Sequence, residues 1–164
     1  MLNEKGLKQV FNIVLVAPEI PQNTGNIGRL CVSTGSMLHL IKPLGFSLED
    51  KYLKRSGMDY WPHLNLRVYE DWDEFIAANP EARLYFFSTH GETLFWDAEF
   101  ADGDFLVFGN EGHGLPPEFY VKYQDRLLLI PMPGKFHRSY NLANSAAVAL
   151  FEALRQNRGA GVLA

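Results

Sequence analysis

Disulfide chemistry is closed to this chain, because its 164 residues include a single cysteine, Cys31. One thiol builds neither an internal bridge nor a cysteine-rich zinc site, and such a chain suits a reducing cytoplasm. Long apolar runs are missing too. No stretch approaches the roughly 18 residues that a membrane span needs, and the opening MLNEKGLKQVF lacks the apolar core of a signal peptide. A cytoplasmic protein without a membrane anchor is therefore expected. The five histidines are scattered without metal-ligand spacing, so no metal is expected. There is no Walker P-loop, no GxGxxG and no GxSxG elbow; Gly109, Gly112 and Gly114 have the wrong spacing and come late in the chain. Nucleoside-triphosphate hydrolysis, Rossmann hydride transfer and serine-hydrolase chemistry thus lack their signatures. Positive charge is also short: 15 Lys and Arg against 19 Asp and Glu leave a net charge of −4. That excludes coating of nucleic acid by bulk electrostatics, but not a local basic patch.

What is present describes a globular chain, 47% hydrophobic and 21% charged, expected to form one domain over 1–164 with its core at about 11–156. Short β-branched or aromatic runs predict strands at Phe11–Ala17, Leu38–Ile41, Leu66–Tyr69, Leu84–Ser88, Phe105–Phe108 and Arg126–Ile130. Helical spacing appears at Asn26–Thr34, Ser47–Ser56, Asp71–Ala78, Pro117–Tyr123 and, longest, Ser139–Gln156, while Thr93–Phe100 is ambiguous. Strands alternating with helices predict an α/β fold with a largely parallel sheet covered on both faces. Basic residues gather at Lys51, Lys54 and Arg55, at Lys135, His137 and Arg138, and at Arg155 and Arg158.

Three segments place glycine, proline and small polar residues after strand ends: PQNTGNIGR (Pro21–Arg29), FGNEGHGLP (Phe108–Pro116) and IPMPGKFHRSYNLANSAA (Ile130–Ala147). Ligands of open α/β sheets bind beyond the carboxyl ends of the strands, so a loop-built site belongs there. Ordinary turn chemistry would give a similar composition. Composition and spacing stop at that point.

These three segments, in this order, resemble the motifs of the SPOUT class of RNA 2′-O-methyltransferases. APEIPQ and the Lys51–Trp61 stretch resemble one branch closely, the YibK-like tRNA (cytidine/uridine-34)-2′-O-methyltransferases. The resemblance runs from about Asn12 to Gln156. It departs where the family often has proline in place of Asn110, a small residue or threonine then arginine in place of Gly112 and His113, and methionine and serine in place of Tyr140 and Ala143.

The resemblance implies a parallel sheet flanked by helices with a deep C-terminal trefoil knot, built from about 84 to 156, and a homodimer. It implies S-adenosylmethionine as cofactor, leaving as S-adenosylhomocysteine, and the tRNA anticodon loop as substrate, methylated on the ribose of nucleotide 34. Carried over by motif, the cofactor residues are Phe87, Ser88, Gly109, Asn110, Glu111, Ile130, Met132, Ser139 and Asn144. For Phe87, Ile130 and Met132, plain core packing is the competing reading. Substrate contacts fall to Asn23, Asn26, Arg29 and Arg138, and the catalytic set is Arg29, Glu111 and Asn141. A guanidinium holds its protons at physiological pH, so Arg29 is expected to orient the ribose phosphate and stabilise a developing alkoxide, with Glu111 positioning it. Asn141 and Asn144 either order the cofactor loop or cap a helix. The alternatives are a non-catalytic nucleotide- or RNA-binding module, and a ribose methyltransferase for another tRNA or rRNA position.

Overall fold

The computed structural model describes residues 11–49, 51, 53 and 59–157. Strand β1 (Asn12–Val16) leads into helix α1 (Pro21–Thr34), then β2 (Met37–Ile41) and β3 (Leu66–Tyr69). Helix α2 (Trp72–Ala78), β4 (Leu84–Phe87), the two-residue β5 (Thr93–Leu94) and β6 (Phe105–Phe108) follow. Helix α3 (Pro117–Lys122), β7 (Leu127–Leu129) and α4 (Leu142–Gln156) complete the order. The strands form one seven-stranded sheet, β3-β2-β1-β6-β4-β7-β5, in which every pairing is parallel. β7 lies between β4 and β5, two strands that precede it in the chain.

Burial follows the two-residue period of the strands. Ile13, Leu15, Leu38, Leu40, Leu106 and Phe108 face a core shared with Ile27 and Cys31 of α1 and Ala146, Ala149, Leu150 and Ala153 of α4. Val14, Val16, Ile41, Phe86 and Val107 face the other core, filled by Phe75 of α2 and Phe119 of α3. Both faces of β1 and β2 are buried throughout, which explains their mostly apolar sequences, interrupted only by the buried Asn12 and His39. Burial also pushes the Cys31 thiol far above its usual range, as for an inert core cysteine.

Helix boundaries differ from the sequence expectation. α1 starts at Pro21, so PQNTG is helix rather than turn. Proline at the first helical position has no amide to satisfy, and its fixed φ suits the start. Gly28 is tolerated inside the helix because of a close approach: a Cβ there would lie 3.2 Å from Leu64 Cδ2 and 3.5 Å from the Trp61 ring. α4 starts at Leu142, not Ser139, because Asn141 is its N-cap and accepts a hydrogen bond from Asn144 N–H at 3.2 Å. The ambiguous stretch splits into β5 and a 3-10 turn at Phe95–Asp97. Half of the expected helix over Ser47–Ser56 lies outside the described residues, as do all of the first ten and last seven positions.

Candidate active site

Parallel strands bring their carboxyl ends to one edge, and there the loops after β1, β4, β6 and β7 meet around a cavity of about 460 Å³, within the range of small-molecule sites. The β6 loop is built first by its own hydrogen bonds. Asn110 and Gly114 exchange backbone bonds at 2.9 Å each way, while Asn110 Oδ1 accepts from Gly112 N–H at 2.8 Å and His113 N–H at 3.0 Å. This tight return brings Gly114 so close to Gly109 that a Cβ on Gly109 would lie 2.2 Å from the Gly114 carbonyl carbon.

The same loop grips the loop after β1. Asn110 Nδ2 donates to the Ala17 carbonyl at 2.6 Å, holding a residue whose φ of 51° is unfavourable for a side chain bearing a Cβ. The Glu111 carboxylate accepts from Glu19 N–H at 2.7 Å and Ile20 N–H at 3.3 Å. Ile20 is the N-cap of α1 and offers no side-chain oxygen, so Glu111 places negative charge at that helix's positive end. The expected pairing of Glu111 with Arg29 is not found. Its oxygens go to the backbone of the α1 entry instead, and Arg29 forms no hydrogen bond or ion pair among the described residues.

Ten of the residues inferred from sequence line the cavity. Phe87, Ile130 and Met132 supply apolar wall; Gly109, Asn110 and Glu111 supply the β6 loop; Asn23, Ser88, Ser139 and Asn141 supply polar groups. Asn141 Nδ2 donates to Asn23 Oδ1 at 2.9 Å, joining the cap of α4 to the first turn of α1. Asn26, Arg29, Arg138 and Asn144 do not line the cavity. Asn26 and Arg29 fall on the exposed stripe of α1, Arg138 in the exposed loop before α4, and Asn144 on the exposed side of α4's first turn.

Other lining residues lay outside the sequence expectation. Leu115, Leu129, Tyr120, His90 and Tyr140 also border the space. Tyr120 Oη stands 3.5 Å from Ser88 Oγ, and its ring meets the His90 ring edge-on at 5.4 Å. Leu115 and Leu129 carry no signal beyond apolarity. Tyr120 sits on a short helix whose sequence reads as packing, so only the fold reveals it.

The lining contains no lysine or arginine. A phosphate-bearing cofactor would find no counter-charge there. A cationic nucleoside derivative without phosphate finds apolar walls for its base, and hydroxyl, amide and backbone groups for its polar edges. The residues present thus fit S-adenosylmethionine. Among the described residues no group of three His, Cys, Asp or Glu could hold a metal ion, and no helix is long and apolar enough to cross a membrane.

The sequence pattern of the SpoU rRNA methylase family matches residues 10–151. This chain belongs to the SpoU methylase family. Among relatives, the tRNA (cytidine(34)-2′-O)-methyltransferase of Burkholderia ambifaria is 49% identical over 151 residues, covering 90% of this chain and 96% of that protein. A solved structure described as giving structural insights into the 2-OH methylation of C/U34 on tRNA superposes with a TM-score of 0.86 at 47% identity, covering 92% of this chain and 98% of the other. The SpoU methyltransferase AviRb from Streptomyces viridochromogenes, solved with S-adenosylmethionine bound, gives a TM-score of 0.79 at 26% identity, covering 97% of this chain and 65% of that one.

Proposed function

We propose that this protein transfers a methyl group from S-adenosylmethionine to the ribose 2′-hydroxyl of nucleotide 34 of tRNA, a cytidine or modified uridine, in the cytoplasm. The observation that carries this reading is the cavity at the strand ends, walled by all three motif segments and without lysine or arginine. Its near full-length relatives with that activity support the same reaction. Bound there, the cofactor supplies an electrophilic methyl. The chain's own part is placement: Ser88, Ser139 and Asn141 order the polar side of the cavity, and the Asn110–Glu111 loop fixes its floor against α1. Arg29 is assigned to the substrate, where a guanidinium orients the ribose phosphate and stabilises charge developing on the 2′-oxygen.

Arg29, Asn26 and Arg138 stand outside the cavity wall, so the RNA surface extends beyond it. A homodimer supplies more of that surface, and α4 offers a contact face: Val148 is 47% and Phe151 58% exposed, one turn apart. We assign the C-terminal trefoil knot to about 84–156, consistent with β7 lying between two earlier strands.

The test is incubation with methyl-labelled S-adenosylmethionine and tRNA from cells lacking the activity, followed by mapping of the label. Label on the 2′-oxygen of nucleotide 34, lost in Arg29→Ala, is the expected result. Label at another position overturns the wobble assignment, and no label on any RNA favours a binding module. Light scattering at micromolar concentration is expected to give a dimer mass, shifted toward the monomer in Phe151→Glu.

A further inference from the structure

The loop joining β7 to α4 carries features that cofactor binding does not use. Its neck is pinned, since Tyr140 Oη donates to the Pro131 carbonyl at 2.9 Å. Met132, Ser139 and Tyr140 line the cavity, whereas 133–138 are all exposed, and nothing lies within 4 Å of where a Cβ on Gly134 would be. The loop is thus a tied projection standing at the cavity rim.

At its tip the Phe136 ring is 96% exposed, the highest value of any large hydrophobic side chain described. Lys135, His137 and Arg138 flank it, and none of them forms a hydrogen bond or ion pair with another described residue. One exposed apolar side chain needs no explanation. A bare aromatic ring among free cationic side chains, on a chain of net charge −4 and beside the candidate site, is a more specific combination. The cations select a polyanion, and the ring offers a face to a planar group. Duplex RNA hides the faces of its bases, but a single-stranded loop displays them for stacking on aromatic residues.

We propose that Phe136 stacks on a base of the tRNA anticodon loop next to the nucleotide being methylated, with Lys135 and Arg138 on the flanking phosphates. Phe136 is three residues from Ser139 on the wall, at most about 10 Å along an extended chain, so the stacked base is a close neighbour of the target. This rests on tRNA being the substrate. Phe136 is then a substrate-positioning residue, and the ring acts on any base because every base has a π-face.

Two readouts test it on the full chain. The first is steady-state methylation of tRNA by Phe136→Ala and Phe136→Trp. The alanine variant is expected to raise KM for tRNA about tenfold, as loss of one stacked base would, with kcat within about twofold, unchanged affinity for S-adenosylmethionine, and recovery in the tryptophan variant. The second is binding of an anticodon stem-loop carrying 2-aminopurine beside nucleotide 34. Wild-type protein is expected to change its fluorescence on binding, and Phe136→Ala to lose that change. Unaltered KM and an unaltered fluorescence response in Phe136→Ala overturn the stacking role. So does a raised KM accompanied by a shift to monomer mass, which would give the ring to a subunit contact instead. A wild-type protein that binds the stem-loop through Phe136 but transfers no methyl upholds the stacking and overturns the proposed reaction.

Discussion

Two residues at the site separate packing from ligand contact. Gly109 is required by the backbone, since the 2.2 Å approach of Gly114 leaves no room for a Cβ. Gly109→Val is therefore expected to displace the β6 loop and abolish measurable S-adenosylmethionine binding, with a loss of stability as well. Ser139 is exposed, lines the cavity and donates no hydrogen bond to the described residues. Ser139→Ala is expected to weaken cofactor binding by about 1 kcal/mol, the net value of one hydrogen bond, or roughly fivefold in Kd by calorimetry, with unfolding unchanged. Equal affinity in Ser139→Ala would remove this hydroxyl from the site. The apolar and glycine parts of the wall were legible in the sequence because the motif order survives in one dimension. The duty of Glu111 was not, because its partners Glu19 and Ile20 lie more than 90 positions away and are backbone groups. Residue type alone suggested an arginine partner, whereas the uncapped end of α1 took the carboxylate.

Element boundaries failed at the starts of α1 and α4 and held where apolar runs end. Strands β1, β2 and β6 were readable because both faces are buried and all positions but Asn12 and His39 are apolar. Asp71 was readable as a cap, and it accepts from Glu74 N–H at 2.8 Å while Glu74 accepts from Glu70 N–H. The starts of α1 and α4 were misplaced because asparagine, glycine and proline belong equally to turns and to first helical turns. Asn141 shows the consequence for function. It caps α4 and also donates to Asn23 of α1, so the two helices that share one core are tied at the cavity edge. Asn141→Ala removes both bonds, and a destabilisation of about 1–2 kcal/mol is expected from the cap and the stranded Asn23 oxygen. Asn141→Asp keeps the acceptor for Asn144 N–H but loses the donor to Asn23, so it is expected to be nearer wild type in urea unfolding while still impaired in cofactor binding. Identical stability of the alanine variant and wild type would show that the cap contributes nothing.

Across the whole molecule, one buried network ties five separate parts of the chain together on the sheet face away from α1 and α4. His39 Nδ1 lies 3.0 Å from Tyr69 Oη and His39 Nε2 lies 2.9 Å from Asn12 Oδ1. Asn12 Nδ2 in turn donates to the Gly103 carbonyl at 3.0 Å, and Asn79 Nδ2 donates to Tyr69 Oη at 3.3 Å. Asn12 donates through Nδ2 to Gly103 and turns its Oδ1, which can only accept, toward His39, so Nε2 carries the proton and Nδ1 accepts from the tyrosine. That is a neutral imidazole. Burial, with a smaller contribution from the charge of Arg67, lowers its pKa from 6.5 to about 3. The unfolded chain binds this proton more readily than the native protein, so stability is fully present above about pH 6.5 and falls as pH drops toward 3. From pH 7 to pH 5 the loss from this group is about 2 kcal/mol. Glu152, held below the usual carboxylate range mainly by its hydrogen bonds to Arg155, adds a loss in the same direction only below about pH 4.5. Asp104, raised by burial, acts with the opposite sign. His39→Gln isolates the share of His39 in the fall from pH 6.5 to 5. Urea unfolding of the variant is expected to show lower stability at pH 7 but a flatter profile down to pH 5. Parallel profiles for the two proteins would mean that His39 is not the group that titrates.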